Sequence, residues 1–114
     1  MTVEALAHKC LKSLGIPIYL DEKNDNIDRD VYIVYLFDGE LTDTFADGDA
    51  KETEVSMVVH LYCLKTNPDA FNLKRQIKKT LVKYGFSQPE VLISTVEERY
   101  RHIALATNIT IAEE

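Results

Sequence analysis

Residues 43–54 come closest to a chemical motif in this 114-residue chain. Laid against the twelve-residue calcium loop, Asp43 falls at position 1, Asp47 at 5, Gly48 at 6 and Glu54 at 12. Calcium needs six or more oxygen ligands, and two positions fail to supply them. Position 3 is Phe45, which has no donor atom, and position 9 is Lys51, which repels a cation. Loose binding of Ca²⁺ or Mg²⁺ by the remaining carboxylates is the most the spacing supports, against the simpler reading of a solvated acidic loop. The three histidines lie on separate elements. His60 and His102 are expected as neighbours on one sheet face with Tyr62 or Thr110 nearby, but a third metal ligand has no evident source. The serines sit in no nucleophile motif, no glycine-rich phosphate loop is present, and Cys10 and Cys63 form no Cys-x-x-Cys pair. No catalytic residues, resident metal or cofactor are therefore expected, and the chain is not read as an enzyme. Both cysteines occupy apolar positions and read as buried small hydrophobes.

Charge is the stronger signal. The segment 21–54 holds twelve carboxylates against only Lys23, Arg29 and Lys51, a net charge of −9, while the rest of the chain carries +3. Its acidic residues include Asp21, Asp25, Asp28, Asp30, Asp38, Glu40, Asp43, Asp47 and Asp49, read as two turn-rich loops flanking an apolar strand. The helix expected after Pro68 is the converse: Lys74, Arg75, Lys78, Lys79 and Lys83 stand against Asp69 alone. Such a run is either a solvated outer face or a partner face. An overall charge of −6 opposes non-specific nucleic-acid binding.

The elements that must carry these groups follow from periodicity. Val3, Leu6, Ala7, Cys10, Leu11 and Leu14 form one helical stripe, with Thr2 as N-cap, Gly15 at the C-terminal turn and Pro17 forbidding continuation. Ile16 to Leu20 reads as a short extended piece. Residues 31–37, Val-Tyr-Ile-Val-Tyr-Leu-Phe, read as a strand covered on both faces and ended by Asp38-Gly39, with residues 40–52 a long loop. Residues 53–64 alternate as a strand, with Val55, Met57, Val59, Leu61 and Cys63 on one face. Asn67-Pro68 starts a second helix, Asn67 capping and Pro68 at the first helical position, and Gly85 closes it. Strands from Pro89 and over 101–112, joined at Glu97-Glu98-Arg99, read as a hairpin. The order is α-β-β-β-α-β-β. It predicts a single α+β domain over 1–114: a largely antiparallel sheet of about five strands with two helices packed on one face. No signal peptide or membrane span is read, so the expected setting is cytoplasmic.

This layout resembles the small tail-terminator and tail-completion proteins of long-tailed bacteriophages and prophages, including the lambda-type terminators. The likeness rests on the helix ending Leu14-Gly15-Ile16-Pro17 and the aromatic run Val31-Tyr32-Ile33-Val34-Tyr35. It also rests on the acidic loop after that run, the strand Val55 to Leu64, the Asn-Pro helix start, Tyr84-Gly85-Phe86, and Tyr100-Arg101-His102 before the final strand. These motifs are architectural and cover most of the chain. The resemblance implies a homo-oligomeric ring, commonly a hexamer, made in the host bacterial cytoplasm and carried at the end of the virion tail tube. There it would stop polymerisation of the tail tube protein and meet the head–tail connector, with DNA passing through the lumen without specific binding and no membrane involved. Head-to-tail joining and stopper proteins of the same neck are the neighbouring reading. Independently of any resemblance, a small cytosolic binding or regulatory domain whose acidic loops hold a divalent cation or a basic peptide fits the same charge pattern.

Overall fold

A computed structural model describes residues 2–23, 26–44 and 51–113. The elements run α1 (Val3–Lys12), β1 (Ile18–Leu20), β2 (Val31–Thr44), β3 (Lys51–Leu64), α2 (Ala70–Lys83), β4 (Glu90–Glu97) and β5 (Tyr100–Glu113). The order is the one expected. The five strands form one sheet in the order β1-β2-β3-β5-β4. All pairings are antiparallel except β1 with β2, which is parallel over Ile18–Leu20, so the sheet is mixed.

Local chemistry explains most boundaries. Thr2 accepts the Ala5 N–H at 3.1 Å and so caps α1. Gly15 takes φ 75 just past the helix, where a β-carbon is disfavoured. Gly85 does the same after α2 at φ 99. The second helix begins later than the Asn-Pro pair implies. The Asn67 side chain accepts the Asp69 N–H at 2.8 Å, closing a turn, and Asp69 becomes the N-cap residue.

Both helices cover the same sheet face. Val3, Ala7, Cys10, Leu11, Ile77 and Leu81 pack on Ile33, Tyr35, Met57, Val59, Leu61, Ile103 and Leu105 in one core. These strand residues share one parity, as a sheet covered from one side requires. Cys10 and Cys63 are fully buried and free.

One departure concerns residues 38–44 and 51–54. Asp38-Gly39 does not end β2. The register slips by one residue between Phe37 and Gly39, a bulge, and the ladder resumes through Glu40↔Val55, Leu41↔Glu54, Thr42↔Thr53 and Asp43↔Glu52 to Thr44↔Lys51. β5 accompanies β3 along the same length, to Lys51↔Glu113. The sheet therefore narrows from five strands to three, and the molecule measures 55 × 25 × 23 Å.

Candidate functional site: two charged surfaces and an aromatic cluster

The acidic stretch is continuous in sequence but not in space. Asp21 closes β1, with its N–H bonded to Tyr35 O. Asp28 and Asp30 are exposed in the segment leading into β2; Arg99, favoured in its charged form first by Tyr100, is also favoured by these two carboxylates. Asp38 and Glu40 lie on β2 itself, as does Asp43, and these three are not loop residues as expected. Asp25, Asp47 and Asp49 lie outside the described residues. Within the ladder, Leu41, Glu52 and Glu54 fall on the face away from the helices at the narrow end. The register sets Asp43 opposite Glu52 along the backbone. Paired strands at both ends of segment 43–54 also differ from a calcium loop, which is flanked by helices. Among the described residues no cluster of three or more His, Cys, Asp or Glu is arranged to hold a metal ion.

The basic residues of α2 do form one surface. Ile77 and Leu81 turn into the core, and Arg75, Lys79 and Lys83 are exposed, with Lys74 and Lys78 half-buried along the flank.

The helix-free face at the wide end holds an aromatic cluster only partly readable from sequence. Tyr32 stacks on Tyr62 at 4.9 Å between centroids, and Tyr62 on His102 at 4.4 Å. Tyr19 and Tyr100 meet Tyr32 edge-on. The 26–30 segment folds over them: Ile27 is buried against the tyrosines, and Tyr100 donates to Arg29 O at 2.8 Å. Burial, reinforced by Tyr62, Tyr100 and Glu97, pushes the Tyr32 hydroxyl up to about 12. A cavity of about 790 Å³ opens here, lined by Ile27, Asp28, Tyr32, Tyr62, Glu97 and Tyr100 among others.

His60 and His102 are neighbours, as strand parity implied, and Tyr62 stacks beside them; Thr110 instead lies opposite Glu54. His60 Nδ1 is 2.7 Å from His102 Nε2, and His102 Nδ1 is 2.8 Å from Glu97 Oε2. The network assigns the protons. Glu97 accepts from His102 Nδ1–H, so His102 Nε2 accepts from His60 Nδ1–H. Burial, and then His102, lowers the affinity of His60 for a second proton. Glu97 was not singled out from sequence. It reaches His102 because the β4–β5 hairpin turns tightly through Glu98, whose φ is 54. The chain Glu97–His102–His60 can hold and share a proton. Among the described residues its hydrogen bonds run within the trio and reach no serine or cysteine.

These features define an α+β domain with charged surfaces and an aromatic cluster on its helix-free face. No protein-family model matches the chain, and no curated protein matches it. No described helix is long and apolar enough to cross a membrane.

Proposed function

We propose that this chain is a structural assembly protein, a tail terminator of a phage or prophage. It self-associates into a ring at the end of the tail tube, stops tube growth and meets the head connector. The observation that supports this best is the segregation of charge: an acidic narrow end and a basic α2 flank on one domain. Unlike surfaces on one chain favour head-to-tail contact, and such contacts close into rings when the rotation permits. The layout shared with that family, from the Leu14-Gly15-Ile16-Pro17 helix end to the final strand, supports the same reading. Carboxylates facing a lumen would repel phosphates and let duplex DNA pass.

The test is direct. Purified chain added to polymerising tail tube protein should yield tubes with a ring at one end by negative-stain electron microscopy. Tubes of unaltered length without rings would remove the terminator reading. A ring with Asp21, Asp28 and Asp30 on its outer wall would remove the lumen role.

A second reading has one observation in its favour. The tyrosine-lined cavity carries Asp28, Glu97 and Glu98 against the single cation Arg99 on its wall, a net acidic chemistry that suits a basic side chain. In that case the protein is a small binding domain for a basic peptide. Calorimetric titration of a monomeric sample with arginine-rich peptide separates the two.

A further inference from the structure

β4 is exposed along its whole length, Glu90 to Glu97. Val91, Leu92, Ile93 and Val96 are all large apolar side chains left at the surface. It pairs with β5 and, among the described residues, with no other strand. An apolar, exposed edge of this length is a template for another chain, and monomeric proteins usually blunt one with charge, proline or cover.

On the helix side this strand continues into α2. Val96 stands opposite Arg101, and the Arg101 guanidinium lies 5.1 Å over the Phe71 ring. Lys74 Nζ approaches the same ring at 5.2 Å. Phe71, Lys74, Lys78 and Val82 follow at i, i+3, i+7 and i+11, one row along the helix. The Cys10 thiol reaches Thr80 O, which puts α1 on the other flank, so this row turns toward β4. The outcome is a shelf with apolar Val91 and Val96 as floor, Phe71 and Val82 in the wall, and Lys74, Lys78 and Arg101 supplying positive charge.

The narrow end has the complementary composition. Leu41 is 63% exposed and stands opposite Glu54, with Glu52 next along the same face. One copy cannot satisfy its own shelf. The β4 pairing ends at Ala106 of β5, whereas Glu54 and Glu52 stand against Thr110 and Ala112, on the opposite face of the sheet.

We propose that the Leu41–Glu52–Glu54 face of one copy docks on the α2–β4 shelf of a second copy of this chain. This rests on the self-assembly reading above and adds which surfaces meet. The contact is heterologous, so each copy offers one donor face and one acceptor face. Docking sets Lys74 and Lys78 against Glu52 and Glu54, so the two faces are opposite in charge.

Sedimentation velocity on the whole chain tests it, using Glu52→Lys/Glu54→Lys, Lys74→Glu/Lys78→Glu and their equimolar mixture. The wild type should associate with rising concentration, more strongly at low salt. Each double variant should need about tenfold more protein to do so. The mixture should regain assembly, because the reversed face of each variant is complementary to the other's partner surface. Carbodiimide cross-linking of the wild type should join Lys74 or Lys78 to Glu52 or Glu54 between copies, and this needs no variant to fold. If the wild type and both variants associate equally, or cross-links avoid these residues, the docking proposal is wrong while self-assembly stands. A wild type that stays monomeric at every concentration overturns both.

Discussion

The hydrogen-bonded His60–His102 pair makes stability depend on pH in a definite direction. His60 is pushed below the ordinary histidine range, chiefly by burial and then by His102. The unfolded chain therefore takes up a proton near the ordinary value of about 6.5, before the folded protein does. Stability contributed by neutral His60 is complete above that value. It is lost as pH falls toward the lower folded value and then levels off. Denaturation midpoints followed downward from neutral pH should show this decline, and His60→Asn, whose amide stands where Nδ1 donates to His102, should flatten it. Equal slopes in both proteins would remove His60 as the cause. The thiols make a separate prediction. Burial raises Cys10 to about 11 and raises Cys63 as well, Arg101 opposing it only in part. Thiolate is the reactive species. Native protein at mildly alkaline pH should resist a chromogenic disulfide reagent at both positions, and denatured protein should react at two thiols per chain. The cysteine burial was readable from their apolar positions. The partner of His102 was not, because Glu97 reaches it through the register of a hairpin that no local pattern encodes.

At the level of elements, what could be read from sequence was what is local. α1 follows from its stripe, its Thr2 cap and Gly15, and the alternation of β3 and β5 follows from period two. Gly85 offers a check on this reasoning. A β-carbon there would lie 3.6 Å from Ile109 Cδ1, an ordinary contact, so the obstacle is the backbone at φ 99 rather than space. Gly85→Ala should cost about 1–2 kcal/mol in urea denaturation, and a change near zero would show that α2 has another way to end. Two features escaped the sequence. Asp38-Gly39 carries the signature of a turn, yet the strand runs on, because a bulge absorbs the extra residue and β3 supplies the backbone hydrogen bonds that carboxylate-rich sequence does not advertise. The parallel pairing of β1 was equally hidden. Its bonds, such as Ile33 N–H to Pro17 O at 2.9 Å, join segments that do not adjoin in sequence. The same cause dispersed the acidic stretch, expected as a pair of loops, over the wide end, the middle of β2 and the narrow end.

The whole molecule is longer than its residue number suggests. A compact chain of this size has a radius of gyration of roughly 13 Å, whereas this one measures 15.5 Å. The excess comes from the three-stranded end, and small-angle scattering under monomeric conditions should return the larger value. The strand that joins both ends is β3, which is paired on both sides over nearly its whole length, with β2 and with β5. That position gives it a distinct place in the dynamics of opening. Fraying from the β4 edge or from β1 leaves its ladders intact, so its amides become exposed only when the entire sheet comes apart. The β2–β3 ladder is a local hairpin, whereas β3 meets β5 only after a connection that includes α2, a closure expected to be the slower step of assembly of the sheet. In native-state hydrogen exchange, the amides of Met57, Val59 and Leu61 should therefore be the last to exchange, at the free energy of global unfolding, while those of β4 exchange through local openings first.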